Sequence, residues 1–113
     1  MHTFDWINSY PHCVTVCDTE GIIIAMNAVS QENFKKYGGG NLVGSSLFDC
    51  HPEAANAIIR DQLANETANT YITESGDTKR LISQVPWYNG GTFGGMVETI
   101  IVLPAAIDTK KRA

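Results

Sequence analysis

The side chains with the greatest chemical potential in this sequence are the thiols Cys13, Cys17 and Cys50, the imidazoles His12 and His51 beside two of them, and one carboxylate, Glu98, set among apolar neighbours. Cysteine and histidine together suggest zinc. Cys13 and Cys17 lie at even spacing in a β-branched run and so share one face of a strand. Four strand positions, however, span ~13 Å, too far for two ligands of one tetrahedral ion. Cys50 and His51 are adjacent and would need partners from elsewhere, so no metal site is expected. Nucleophilic catalysis has no better support. No serine stands in a defensible order with a histidine and an aspartate, and Gly38-Gly39-Gly40 lacks the lysine and hydroxyl of a phosphate loop.

Glu98 is the residue most in need of explanation. In an extended run Met96, Glu98 and Ile100 point one way and Val97, Thr99 and Ile101 the other. A carboxylate on an apolar face is costly unless paired. Glu98 is therefore either a polar contact for a ligand or, if the register slips by one, a solvent-facing residue. Gln84, between Ile82 and Pro86, is either a second directional hydrogen bond to such a ligand or an exposed strand residue. A small α+β isomerase-like enzyme with Glu98 as its general base is the competing class.

These residues need elements to hold them. Phe4, Ile7 and Tyr10 recur at about one helical turn, with Trp6 beside them, which predicts a short amphipathic helix ending before Pro11. Cys13 to Cys17 and Ile22 to Met26 read as two antiparallel strands around the turn Asp18-Thr19-Glu20-Gly21. Asn27 has the chemistry of a helix cap, and short helices run on to the glycine stop. Leu42, Val43, Leu47 and Phe48 form an irregular apolar connector. Pro52 and Glu53 open the best helix, with Ala55, Ile58, Ile59 and Leu63 on one face and Asn56, Arg60 and Asp61 on the other. Thr70 to Glu74, Thr78 to Trp87 and Thr92 to Leu103 then read as a three-stranded meander, with Pro86 at a strand end, bulge or edge. The result is an α+β domain: a five-stranded antiparallel sheet with the helical stretch Asn27 to Asn65 covering one face and room for a ligand between.

Composition narrows the class. The 113 residues fit one domain, with 43% apolar and 18% charged residues able to build a core. The net charge of −4, with cations concentrated only in the tail Lys110-Lys111-Arg112, argues against a nucleic-acid partner. Met1 to Tyr10 carries no basic leader with an apolar run and no window suits a membrane span, so no membrane partner and a cytoplasmic location are expected. The odd cysteine count then reads as reduced, buried thiols.

From about His12 to Leu103 the order of elements resembles the PAS family. The resemblance is carried by Asp18, Gly21, Ile22, Ile24, Asn27 and Ala28, then by Leu42-Val43-Gly44 ahead of Leu47-Phe48, by His51-Pro52-Glu53 and by Gly95-Met96-Val97-Glu98. Gly21 can take the positive φ of the turn, while the Asp18 and Asn27 side chains bond local backbone. The resemblance implies a sensory signal-transduction module that binds a small molecule between sheet and helices. Alignment with the family turns Met96, Glu98 and Ile100 to the cavity, opposite a wall of Ile58, Ile59 and Leu63, with Ile82 and Gln84 on the neighbouring strand. It also makes Phe4, Trp6 and Ile7 anchors of a homodimer, and implies a separate or fused output protein. The expected divisions are a helical cap at 1–11, the PAS domain at 12–104 and a polar tail at 105–113.

The ligand stays open. After Gly44 stand Ser45, Ser46 and Leu47 where photosensory flavin members carry their reactive cysteine, which argues against covalent flavin. A haem-binding member would use an axial histidine; His51 is the candidate, but its place at a helix boundary suits capping or solvent better. A ligand-free dimerisation module is the remaining alternative.

Overall fold

The computed structural model describes residues 4–113; positions 1–3 of the expected cap lie outside the described residues. The sequence alternation becomes five strands, β1 (Cys13–Asp18), β2 (Ile23–Met26), β3 (Asn69–Ser75), β4 (Thr78–Asn89) and β5 (Thr92–Val102). They form one antiparallel sheet in the order β2-β1-β5-β4-β3, so the two ends of the chain meet at its centre. Helices α1 (Trp6–Ser9), α2 (Ala28–Asn33) and α3 (Glu53–Asn65) complete the fold, with 3-10 turns at Lys35–Tyr37, Gly39–Leu42 and Leu47–Asp49.

Local chemistry sets the first hairpin. Asp18 Oδ1 accepts from the Glu20 and Ile22 amides at 2.9 and 3.0 Å, and Gly21 takes a φ of 80°. A Cβ on Gly21 would also stand 2.8 Å from the Phe48 ring. At the far end of β2, Asn27 caps α2 by accepting from the Ser30 amide. The expected irregular connector is more ordered than the sequence suggests. Ile23 donates to Ser45 O, Gly44 to Ile23 O and Leu47 to Gly21 O, so this segment covers the otherwise open edge of β2, which an unprotected strand would expose to pairing with other chains.

Pro86 falls within β4, beyond the end of β3 pairing at Asn69↔Gln84 and just before a bulge at Trp87/Tyr88. The missing proline N–H is tolerated there because one side of β4 has run out of partner.

The long helix departs from its expected facing. Asn56 and Gln62 are its buried residues, whereas Ile58 is exposed. The two amides turn inward because carbonyls await them: Asn56 Nδ2 donates to Phe48 O at 3.0 Å, and Gln62 Nε2 reaches toward Thr67 O at 3.5 Å. The main packing partner of α3 is the Leu47–Asp49 turn. The helix therefore stands off the sheet, and the space between stays open. Among the described residues no helix is long and apolar enough to cross a membrane.

Candidate functional site

A cavity of about 590 Å³ occupies that space. Its floor is the inner face of the sheet, where cross-strand pairing arranges side chains in rows. Thr15, Glu98 and Gln84 stand opposite one another on β1, β5 and β4. Beside them runs a row of Cys17, Met96 and Pro86, and on the other side one of Cys13, Ile100 and Ile82. The roof comes from Ile59 and Gln62 of α3, with Phe34 and Leu47 from the connecting turns. Asp49, Cys50 and His51 also line the cavity and are exposed, so they mark its mouth.

Two members of the polar row bond each other and the third bonds α2. Gln84 Nε2 donates to Glu98 Oε2 at 2.8 Å. A carboxylate only accepts, so the amide must turn its NH₂ toward it. Thr15 Oγ1 shares a 2.6 Å hydrogen bond with Ser30 Oγ, tying the floor to α2. At the mouth, His51 Nδ1 lies 2.7 Å from Leu47 O. A carbonyl only accepts, so Nδ1 is the donor in that contact.

The site residues expected from sequence divide unevenly. Ile59, Gln84, Met96 and Glu98 line the cavity. Ile58 does not, since it points to solvent at 55% exposure, one residue and about 100° round the helix from Ile59. Leu63 lies instead in a shallow groove with Thr19, Glu20 and Phe48. Ile82 is buried in the core and Ile100 is half-buried; both share the inner face but lie in the row beyond the cavity. Thr15, Cys17 and Gln62 are lining residues that sequence reading passed over. Thr15 was recoverable, because it alternates with Cys13 and Cys17 on the same strand face. Asp18, Gly21 and Asn27 sit at the hairpin and cap described above. Of the expected dimer anchors, Phe4 and Trp6 are exposed and Ile7 is half-buried.

Burial pushes the Cys13 and Cys17 thiols above their ordinary value of 9.0, and the nearby negative charge of Glu98 adds to the rise at both. Thiolate is the reactive form, so burial both withholds Cys13 and Cys17 from reagents and disfavours their reactive form, whereas Cys50 is exposed. Treatment of the native protein with N-ethylmaleimide at pH 7.5 should add one label by mass, at Cys50, and three after denaturation in guanidinium. The linkage has a definite sign. A thiol whose folded pKa is raised holds its proton more tightly when folded, so its contribution is complete below about pH 9 and is lost as the pH rises through the folded value. Urea midpoints should fall above pH 9, and that fall, measured against each protein's own midpoint at pH 7, should shrink when Cys13 and Cys17 are replaced by serine and alanine. Rapid double labelling of the native protein would contradict the burial.

Fold and site together define a class: a single antiparallel sheet arched beneath short helices around a cavity sized for a small molecule. The sequence model of the PAS fold matches residues 7–76, and the chain belongs to that family. Solved structures agree with this fold. The Aer2 receptor of Vibrio cholerae, described as a dual PAS-haem oxygen sensor, superposes with a TM-score of 0.61 at 16% identity, covering 82% of this chain and 95% of that one. A sensory box sensor histidine kinase from Vibrio cholerae gives 0.60 at 14% identity, covering 88% of each chain. The PAS domain of BvgS from Bordetella pertussis gives 0.63 at 17% identity, covering 87% and 81%. Among proteins of curated function, none matches the chain by sequence.

Proposed function

We propose that this PAS domain is a sensory module that holds a small molecule between sheet and helices and passes the occupied state to another protein by contact. The observation that carries the reading is the polar row Thr15, Glu98 and Gln84, its last two members hydrogen-bonded to each other, on the floor of an otherwise mainly apolar cavity of about 590 Å³. Specific small-molecule sites combine an apolar lining with a few placed polar groups in about 300–1,000 Å³. Several similar structures are sensor kinases or receptors by their descriptions, which supports the same role here. The module comprises residues 12–104, with a cap at 1–11 and a tail at 105–113. No catalytic step is assigned to it. It acts in the cytoplasm, where free thiols such as these persist, without nucleic-acid or membrane partners.

Relay requires a second surface. The outer face of the sheet presents Ile72 and Val85, exposed at 55% and 40%, and the N-terminal segment presents Phe4 and Trp6 at 71% and 59%. Exposed aromatics of this kind suit the anchors of an association surface. A homodimer through the N-terminal segment, signalling to a separate or fused output protein, follows from the reading.

Haem suits this cavity poorly. His51 offers a nitrogen, but no lysine or arginine is among the lining residues to meet two propionates, and the lining instead supplies the carboxylates of Asp49 and Glu98. The donor set does not fit the group.

Native mass spectrometry with an absorption spectrum of freshly purified protein tests the reading. The expected species is a dimer whose protomers each carry the mass of one small molecule, without a Soret band, and Trp6→Ala should shift it toward monomer. A colourless dimer of bare chain mass, with no cavity resonance moved by any added compound, would leave a ligand-free dimerisation module instead.

A further inference from the structure

The charges lining the cavity are one-sided. Its lining residues include the carboxylates of Glu98 and Asp49 and neither lysine nor arginine, and its one imidazole, His51, stands exposed at the mouth. Glu98 belongs to β5, the central strand of the sheet, and lies on the inner face. Its remaining accessible surface therefore opens into the cavity rather than to bulk water. One Gln84 N–H is the single hydrogen bond that the Glu98 side chain receives among the described residues. A carboxylate has about four acceptor positions, so most of its capacity faces the space a ligand would fill.

The surrounding titratable groups leave that charge unanswered. Cys13 and Cys17 are held protonated chiefly by burial, and Tyr71, on β3, is raised above its ordinary value by desolvation and by the Glu98 charge. All three stay neutral near pH 7, so none compensates Glu98 or competes with it as an anion. Around the row the lining is mainly apolar, with Ile23, Met26, Phe34, Leu47, Ile59 and Met96, and its further polar side chains are Gln62 in the roof and Tyr37, Asp49 and His51. An anionic ligand would place like charges side by side, which is strongly unfavourable.

We propose that the cavity selects a compact, mainly apolar molecule carrying a positively charged nitrogen head, an amine or amidine, whose N–H groups bond Glu98. This rests on the small-molecule reading above and deepens it. The head is drawn to the floor of the cavity, while Gln84 fixes the carboxylate from the far side and the apolar body fills the space beneath α3.

A charge series on one skeleton provides the test: tryptamine, tryptophol and indole-3-acetate, added to the isotope-labelled wild-type protein and followed by amide resonances of Thr15, Gln84 and Glu98. Tryptamine is expected to bind at least about tenfold more tightly than tryptophol, the equivalent of about 1.4 kcal/mol, and indole-3-acetate most weakly. Glu98→Gln should lower tryptamine to the level of tryptophol, whereas Asp77→Asn, in the exposed turn between β3 and β4 and away from the cavity, should change it less than threefold. Equal binding of all three within the cavity, or preference for the acid, overturns the charge selection while leaving the small-molecule reading intact. If none moves a cavity resonance, both fall. Should Glu98→Gln not fold, the wild-type series decides alone, with the tryptamine shifts expected at the floor row and overturning the proposal if confined to the exposed acidic surface.

Discussion

Asn27→Ala should bring the domain to the edge of unfolding. Asn27 is only 1% exposed, and its side chain serves four partners at once, the weakest being Tyr10 O, to which Nδ2 donates at 3.4 Å. Oδ1 accepts from the Val14 amide and from the Ser30 amide, both at 3.0 Å, and Nδ2 donates to His12 O at 2.8 Å. Its own backbone amide donates to Val14 O at 3.1 Å, so the residue continues the β1–β2 ladder while starting α2. Alanine leaves the Val14 and Ser30 amides and the His12 carbonyl without partners in a dry setting. Each orphaned group costs about 1–3 kcal/mol, so the loss should reach about 3 kcal/mol or more of a total that is about 5–15 for a domain of this kind. Aspartate retains both acceptors but cannot donate to His12 O and buries a charge, so it should be intermediate. Urea unfolding followed by circular dichroism checks the order, with the midpoint falling and the slope unchanged. A loss below about 1 kcal/mol for the alanine variant would mean that Asn27 is not the joint between β1 and α2.

The same residue shows what the sequence discloses and what it withholds. Asp18, Gly21 and Asn27 were legible because much of their work is local: an Asx turn, a positive φ and a helix cap are set within a few residues of each side chain. The strands were legible for a similar reason, since alternation survives any tertiary arrangement, and their observed limits differ from the sequence reading by only one or two residues. The facing of α3 was not. Polar residues favour solvent until a carbonyl is waiting inside, and Phe48 O and Thr67 O take their places only when the chain has folded. Asn56 and Gln62 thereby displaced Ile58 from the inner face.

The pairing within the site depends on a feature equally hidden from composition. At the β4–β5 turn Asn89 stands opposite Thr92 and Tyr88 opposite Phe93, and that register, continued unbroken, would set Gln84 against Val97. The bulge between Trp87 and Tyr88 shifts the ladder by one, so that Gln84 meets Glu98. A single inserted residue thus decides which side chain the carboxylate finds, because strand faces exchange with every unit of register. The cavity itself leaves no periodic trace, since its lining is gathered from both ends of the chain and from the connector between them.

That dependence concentrates a second large effect in the glycine pair Gly94-Gly95, next to the bulge. Gly95 holds a φ of +142°, and a Cβ there would collide with Cys17 O and come within 2.8 Å of Asp18 Cα, both on the paired backbone of β1. Backbone cannot swing aside as a side chain can, so Gly95→Ala must open the end of the β1–β5 pairing as well as strain its own torsion. Its expected cost exceeds about 4 kcal/mol, enough to leave little folded protein. Gly94→Ala meets a different obstacle, the Trp87 ring lying across it. The ring can shift, but its indole would then lose the 3.0 Å hydrogen bond to Cys17 O, so about 1–3 kcal/mol is expected. Tryptophan fluorescence separates the two. With Trp6 replaced by phenylalanine in every sample, Trp87 is the sole tryptophan, so a red shift reports it. It should appear in Gly94→Ala with the dichroism of the sheet retained, and in Gly95→Ala together with loss of that dichroism. A Gly95→Ala protein with the wild-type midpoint would break the link between bulge, register and the Gln84–Glu98 pair, and with it the reason Glu98 is held at the floor of the cavity.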